Sequence, residues 1–269
     1  MKSKRLLNLP DRSIFSIFCT AGFPRLGDTE EVLYRLATAG VDMIELGFPF
    51  SDPVADGPTI QDSNQRAIAN GMSLPVLFAQ IADLRGCVDV PVFLMGYLNP
   101  AEQYGFEKFV RDAARCGIDG LIIPDMPFEE YQERYKPLYK EYDISPVFLV
   151  TSRTEDQRIR AFDAEQPAFL YILSSDAVTG GALTDSQERE DFFVRLSRMG
   201  LQSKMVVGFG VGDPDTFKAV TKHTHGAIVG SAFVKALQSI EGRDDDLKRS
   251  DFATSSVIET FVKQFKEPT

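Results

Sequence analysis

The sequence predicts a single (β/α)8 barrel over residues 1–269, and three observations favour that fold class. Eight short apolar runs alternate with stretches in which apolar residues recur at helical spacing. The length suits one large α/β domain, and no change of composition or linker-like segment marks a second one. A doubly wound open sheet is the alternative arrangement of the same elements. We prefer the barrel because eight strand–helix units are the number that closes it.

The predicted strands are apolar runs bounded by Gly, Pro or polar residues. They cover residues 13–20, 42–46, 91–96, 117–124, 145–150, 168–173, 204–208 and 226–230. Between them, three-to-four spacing predicts helices, among them residues 29–39, 106–116, 129–142 and 191–199. Asp28 is a suitable N-cap for the first of these helices. Extra helices are predicted at the N-terminus (3–9), after strand two (74–85) and at the C-terminus (250–266).

Composition limits the classes of function. Hydrophobic residues make up 43% and charged residues 25%, as in an ordered globular protein. A net charge of −10 argues against nucleic acid or an anionic membrane as the main partner. The three cysteines are far apart and form no CxxC motif, which favours a reduced, cytoplasmic protein. We identify no signal peptide and no membrane span in the sequence.

Acidic residues stand where a barrel carries its chemistry, at the carboxyl ends of strands. Glu45 ends strand two, and Asp56 lies in the proline-rich loop that follows. Asp125 follows strand four, and Tyr171 lies in strand six. Each acid also has a structural interpretation: an ion pair for Glu45, turn chemistry for Asp56, and a helix cap for Asp125. Two carboxyl groups held over one substrate can have their pKa values tuned separately.

Glycine motifs after strands seven and eight predict a phosphate site. Residues 208–213 carry three glycines, and Gly230-Ser231 opens a helix whose free N–H groups favour an anion. Many barrels bind phosphate between these two loops. Tight turns alone are the alternative interpretation of each glycine. A third arm is predicted at Thr179-Gly180, in a lid-like loop after strand six.

Metal and histidine chemistry are disfavoured. Only His223 and His225 are present, and both flank the entry to strand eight, at the opposite end of the barrel. No zinc-ligand spacing and no P-loop occurs in the sequence. We therefore expect no metal.

Residues 45–58 resemble, almost letter for letter, the corresponding segment of tryptophan synthase alpha subunits. The resemblance extends over nearly the whole chain and includes residues 18–24, 95–100, 124–127, 178–180, 208–210 and 230–231. That family cleaves indole-3-glycerol phosphate to indole and glyceraldehyde 3-phosphate in L-tryptophan biosynthesis. The indole passes to a pyridoxal-phosphate-dependent beta subunit in an α2β2 complex. The resemblance implies the same reaction here, a beta-subunit partner, and no cofactor in this chain.

The resemblance also implies roles for individual residues. Glu45 matches the general acid/base, and Asp56 matches the carboxylate that pairs with the indole N–H. Positions that wall the indole or line the pocket near the base are Phe18, Met95, Tyr171 and Phe209. Phosphate contacts are Gly180, Gly210, Gly230 and Ser231, with Thr179 as the lid residue that bonds to Asp56. The loop expected to face the beta subunit contains Pro49, Asp52 and Pro53.

One departure from the family is in the lid. Its pattern, Ser-Arg-x-Gly-Val-Thr-Gly, is replaced by a segment with Ser175 and Asp176. We expect this change to affect lid closure or coupling to the partner and to leave the catalytic residues unaffected.

The residues at the strand ends also bear on two other functions. A phosphate-binding barrel isomerase would need aspartates at the ends of strands one and five, where this chain has residues 18–20 and 149–151, with no acid. A mainly non-catalytic activating subunit would need neither Glu45 nor Asp56, and both are present.

Overall fold

Eight parallel strands close into a barrel in the order of the chain. The computed structural model describes residues 3–11, 13–173, 186–239 and 251–266. The strands are β1 (Ile14–Thr20), β2 (Met43–Gly47), β3 (Val92–Met95), β4 (Gly120–Ile122), β5 (Ser145–Val150), β6 (Leu170–Leu173), β7 (Met205–Gly208) and β8 (Gly226–Val229). The barrel prediction is confirmed, and the open sheet is excluded because β1 pairs with β8.

Helices surround the barrel and connect successive strands. They are α1 (Lys4–Leu7), α2 (Thr29–Ala39), α3 (Pro58–Ala69), α4 (Leu74–Gln80), α5 (Leu98–Tyr104), α6 (Phe106–Arg115), α7 (Phe128–Glu130), α8 (Lys136–Glu141), α9 (Asp156–Ala164), α10 (Ser186–Arg198), α11 (Pro214–Thr221), α12 (Ser231–Gln238) and α13 (Asp251–Lys266). The three predicted extra helices are α1, α4 and α13. The assignment of all 269 residues to one domain stays a prediction.

Two elements differ from their predicted bounds. Strand four is shorter than residues 117–124 because Gly117, at φ +77°, ends α6 in a left-handed turn before β4 begins. Residues 129–142 do not form one regular helix, since a π-helical segment (Tyr131–Tyr135) separates α7 from α8. Pro137 lies in the first turn of α8 and has no N–H to donate to the turn before it. The helix therefore widens at that point.

Aromatic side chains fill the interior of the barrel beneath its carboxyl end. Phe93 of β3 and Phe169, which immediately precedes β6, are both fully buried, and their rings meet edge to face with centroids 5.2 Å apart. Tyr171 is two residues further along the chain, on the same face of β6 as Phe169. Glu45 pairs in register with Phe18 of β1 and with Phe93 of β3, so it lies beside this aromatic packing.

Charged and polar groups close the opposite end. Arg5 and Arg85 both form ion pairs with the buried Asp119, at 2.9 and 2.6 Å. His225 accepts a hydrogen bond from the N–H of Met205 through Nδ1, so it lies at the start of β7, far from the carboxyl ends. Among the helices that the structure describes, none alone is long and apolar enough to span a membrane. One pair, α3 and residues 74–86, has the length and composition of a span only when the two are taken together, and they meet at a bend of 87°.

Candidate active site

A cavity of about 370 Å³ opens at the carboxyl ends of the strands. Every described residue that the sequence predicted for catalysis, for the indole wall or for phosphate binding lines it. These residues are Phe18, Glu45, Asp56, Met95, Tyr171, Phe209, Gly210, Gly230 and Ser231. Thr179 and Gly180, together with Ser175 and Asp176, lie outside the described residues. The geometry thus brings the predicted residues together, and their individual roles stay predictions.

Glu45 is a deeply buried acid. Its residue is 1% exposed, and neither carboxyl oxygen has a hydrogen-bond partner among the described residues. The predicted alternative, a structural ion pair, is not found in that part of the chain. Burial, followed by the nearby charge of Asp56, raises the pKa of Glu45 from 4.5 to about 8. The Tyr171 hydroxyl opposes this shift by favouring the charged form, although it falls short of hydrogen-bond geometry.

Asp56 is held in place by a tyrosine and a glutamine. The Tyr97 hydroxyl donates to Asp56 Oδ2 at 3.2 Å, and it accepts from the N–H of Ala55 at 2.9 Å. Gln61 of α3 donates from Nε2 to the Asp56 carbonyl at 2.9 Å. Burial raises the pKa of Asp56 from 3.8 to about 6, and the Tyr97 hydroxyl opposes that shift. The two carboxyl groups therefore differ in pKa because they have different surroundings.

The loop between β2 and α3 runs from the surface into the cavity. Gly57 is the N-cap of α3, and Pro58 begins the helix, which fixes the position of Asp56 just before it. Of the three residues predicted to face a partner, Asp52 is exposed, Pro49 is half-buried and Pro53 is buried. The assignment of this loop to a partner-facing surface stays a prediction.

Aromatic rings in the cavity wall require glycines beside them. A Cβ on Gly47 would lie 2.7 Å from the Phe18 ring, and one on Gly208 would overlap the ring of Tyr171. Gly208 belongs to the glycine segment predicted for the phosphate site, but the space beside it is filled by the side chain of Tyr171. Phe209 has φ +65°, a left-handed conformation that is uncommon for a residue other than glycine. Such backbone outliers cluster at functional sites.

The far end of the cavity is suited to an anion. Gly230 precedes α12 and provides no side-chain cap, so the first N–H groups of that helix are left for another acceptor. The preceding helix, α11, differs, because Asp213 accepts from the N–H of Thr216 at 2.8 Å and caps it. Gly210 and Ser231 line the cavity beside this open helix end. The free backbone N–H groups at this helix end can donate hydrogen bonds to a phosphate-sized anion.

Two polar residues of the site, Tyr97 and Lys235, were not predicted from the sequence. Tyr97 is two residues beyond Met95 at the end of β3, next to β2 in the barrel, and that adjacency was the available signal. Lys235 lines the cavity one helical turn after Ser231, and its spacing of four residues was visible in the sequence. Apolar lining residues were also missed, namely Ile60, Val211, Ile228 and Ala232.

Asp125 has a structural role. Its Oδ1 accepts from the N–H of Leu98 at 2.9 Å, so it caps the start of α5 and not the helix that follows it in sequence. Within the described ranges, no group of three or more His, Cys, Asp and Glu side chains could hold a metal ion.

The closed barrel and the paired carboxyl groups at its carboxyl end place the chain among the (β/α)8-barrel enzymes. The model of the tryptophan synthase alpha chain family matches residues 6–264, and the chain belongs to that family.

Relatives and solved structures agree with this assignment. The chain is 46% identical over 227 residues to the tryptophan synthase alpha chain of Flavobacterium johnsoniae, covering 84% of this chain and 90% of the relative. Identity to the alpha chain of Parabacteroides distasonis is 45% over 226 residues, covering 84% and 88%. The structure is similar to a chain of the tryptophan synthase complex from Pyrococcus furiosus, with a TM-score of 0.80, 30% identity, and coverage of 95% and 98%.

Proposed function

We propose that this chain cleaves indole-3-glycerol phosphate to indole and glyceraldehyde 3-phosphate, a retro-aldol lyase reaction of L-tryptophan biosynthesis. One observation carries the proposal: the buried carboxyl group of Glu45 and the half-buried one of Asp56 line the same apolar-walled cavity and have pKa values raised to different extents. The reaction needs a proton donor, a proton acceptor and stabilisation of positive charge on the ring. Two carboxyl groups in different protonation states can supply all three.

Glu45 is the general acid and then the general base. With a pKa of about 8, its carboxyl group is mostly protonated at pH 7 and can donate its proton to indole C3. The resulting carboxylate takes the proton of the glycerol hydroxyl next to the ring. That oxygen becomes the aldehyde oxygen as the bond between C3 and the glycerol carbon breaks, and its electron pair restores the aromatic indole. Glu45 ends the cycle protonated, so protons and electrons balance.

Asp56 stabilises the ring while it is protonated. With a pKa of about 6, its carboxylate is mostly ionised at pH 7. Protonation of C3 puts positive charge on the indole nitrogen, and an ionised carboxylate accepting from that N–H lowers the energy of the charged state. The Tyr97 hydroxyl and Gln61 hold Asp56 in position before the substrate binds, so little reorganisation is needed.

The remaining lining residues orient the substrate. Phe18, Met95, Tyr171 and Phe209 provide a wall for the flat indole ring. Gly210, Gly230 and Ser231 provide backbone donors for the phosphate at the opposite end. We assign Thr179 and Gly180 to the lid that completes the phosphate site, as the family resemblance implies. Fixing both ends of the substrate places C3 and the hydroxyl within reach of Glu45.

The proposed partner is a tryptophan synthase beta subunit, in an α2β2 complex in which pyridoxal phosphate belongs to the beta subunit alone. The loop after β2 supports this proposal, because Asp52 and Val54 are exposed on it while Asp56, two residues after Val54, lines the cavity. A partner bound to the outer part of the loop can therefore shift Asp56 directly. We expect the complex to be cytoplasmic, without nucleic acid, membrane or metal as a partner.

The experiment is indole release from indole-3-glycerol phosphate by the purified chain, with and without a tryptophan synthase beta subunit. We expect slow release by the chain alone and faster release with the partner. Absence of release under both conditions, from protein shown to be folded by circular dichroism, would contradict the proposed reaction.

Matched variants test the two carboxyl groups. Glu45→Gln should lower kcat by at least about 10³-fold, and Asp56→Asn by about 10²-fold. The controls are Glu133→Gln, on an exposed surface, and Asp112→Asn, which removes a carboxylate that also accepts from a tyrosine, Tyr104, outside the cavity. Both controls should keep wild-type kcat. Near-normal turnover by Glu45→Gln would overturn the assignment of the general acid.

A further inference from the structure

Lys235 is a positively charged residue of the cavity to which the proposed reaction gives no role. It lies in α12, its side chain is exposed, and it lines the same cavity as Glu45 and Asp56. Among the described residues that line this cavity, it is the only lysine or arginine. Its ammonium group has no ion-pair, hydrogen-bond or ring partner in the part of the chain that the structure describes. A cation left without an internal partner in a substrate cavity is available to a ligand.

Helix geometry directs this side chain toward the predicted phosphate site. Ser231 begins α12, and Lys235 follows it by four residues, so both lie on one face of the helix. The Cα–Cβ bond of a helical residue tilts toward the N-terminus, and long side chains lie over the preceding turn. The Lys235 ammonium group therefore extends back over the first turn of α12, where Ser231 and Ala232 line the cavity.

Charge makes a local cation useful at this end of the cavity. A phosphate ester carries close to two negative charges at neutral pH. It must approach a protein with a net charge of −10 and share a cavity with two carboxyl groups, Glu45 and Asp56. The open N-terminus of α12 contributes about half of one positive charge, which is less than the phosphate needs. Lys235 supplies one full charge at the same place.

We infer that Lys235 is a phosphate-binding residue, whose ammonium group forms an ion pair with the phosphate of the substrate on the solvent side of the open α12 N-terminus. This inference rests on the proposed function and adds a side chain to a phosphate site otherwise made of glycine backbone and Ser231. Lysine meets a phosphate as a mobile point charge, so it can follow the substrate into the cavity from the surface.

The test compares Lys235→Met with Lys235→Arg and with Lys140→Met. Methionine keeps the length and apolar character of the lysine stem but removes the charge, whereas arginine keeps the charge. Lys140 is an exposed lysine of α8 that does not line the cavity. The first readout is the dissociation constant of inorganic phosphate, measured by calorimetry at low salt. The second is the separation of KM from kcat in the cleavage reaction.

For Lys235→Met we expect phosphate Kd and substrate KM to rise about tenfold, a loss typical of one charge-assisted contact, with kcat within about twofold of wild type. Lys235→Arg should restore most of the affinity, and Lys140→Met should match wild type. The affinity lost in Lys235→Met should also shrink as salt is added. Equal phosphate affinity in wild type and Lys235→Met, or a fall in kcat with unchanged KM, would overturn the inference.

The two proposals fail in different ways. If the wild type releases no indole but its phosphate affinity depends on Lys235 as described, the proposed reaction is wrong and the phosphate-binding role stands. If the wild type releases indole and its phosphate affinity is independent of Lys235, the reaction stands and the inference about Lys235 is wrong.

Discussion

The Tyr97 hydroxyl donates a hydrogen bond to Asp56 Oδ2 at 3.2 Å. Tyr97 follows β3, and Asp56 lies in the loop after the neighbouring strand, β2. The same oxygen accepts from the N–H of Ala55, so one phenol holds both the side chain and the backbone of the loop. Burial raises the pKa of Tyr97, which keeps the hydroxyl a proton donor throughout the working pH range. Asp56 is therefore positioned as an ionised carboxylate by a group that does not itself react.

Removing this hydroxyl should move the acidic side of the activity profile. Tyr97→Phe leaves Asp56 as buried as before but without a donor that favours its charged form, so the pKa rises above about 6. We expect the acidic limb of kcat/KM to shift upward by about 0.5–1 pH unit, as one hydrogen bond to a charged group would cause. The loss of activity should be large at pH 6 and small near pH 7.5.

Tyr104→Phe is the matched control, because Tyr104 also donates to an aspartate, Asp112 at 2.8 Å, but outside the cavity. Its pH profile should coincide with that of the wild type. An unshifted acidic limb in Tyr97→Phe would show that Tyr97 has no influence on the group that must be ionised.

The wild type should show a bell-shaped dependence of kcat/KM on pH. Activity needs Asp56 ionised and Glu45 protonated, so it rises as pH passes about 6 and falls as pH passes about 8. The charge of Asp56 contributes to the raised pKa of Glu45, so the two limbs belong to a coupled pair. In Asp56→Asn, the basic limb should therefore move to lower pH. A profile that keeps rising above pH 9 would contradict the role of Glu45 as an acid.

The raised pKa of Glu45 should make the free energy of unfolding fall as pH rises from about 4.5 to about 8. Its pKa in the folded state, about 8, is above the ordinary value of 4.5, so between these values the folded state binds more protons than the unfolded state. Stability then falls with rising pH by about 1.4 kcal/mol per unit from this group alone, and the fall ends above about pH 8. Below pH 4.5 the contribution vanishes because both states are protonated.

Glu45→Gln should therefore be inactive yet more stable at pH 8. Glutamine is neutral at every pH. The variant therefore avoids the loss of stability that comes, at pH 8, from keeping a buried carboxyl group protonated or burying its charge. We expect its Tm to exceed that of the wild type at pH 8 and to be close to it at pH 4, measured by calorimetry at both pH values. Glu133→Gln, on an exposed surface, should leave Tm unchanged at both. A lower Tm for Glu45→Gln at pH 8 would mean that the carboxylate is paired in the folded protein.

Much of the site could be predicted because strand ends are local features of sequence. Glu45 and Ser231 stand directly at the ends of apolar runs, and the closed barrel brings all such ends to one side. Tyr97 could not be assigned in this way, since its contact with Asp56 joins residues 41 positions apart and depends on how the loop after β2 folds back over β3.

Two further features differ in whether the sequence could have revealed them. The left-handed backbone of Phe209 contradicts the local preference of phenylalanine, so only the surrounding structure can impose it. The π-helical segment before α8 is the opposite case, because Pro137 gave a local reason to expect an interruption of the helix predicted for residues 129–142.

Gly208 is the position where the smallest change should disturb the general acid. A Cβ at this position would overlap the Tyr171 ring, which lies beside Glu45 and lowers its pKa. Gly208→Ala should displace the ring, destabilise the protein by about 1–3 kcal/mol as overpacking does, and move the basic limb of the pH profile upward. Gly86→Ala is the control, since its Cβ would have no neighbour within 4 Å.

Tyr171→Leu, combined with Gly208→Ala, should recover part of the stability without recovering the pH profile, because the overlap is relieved while the hydroxyl stays absent. Additive losses of stability in the double variant would show that Gly208 is needed for another reason than the Tyr171 ring.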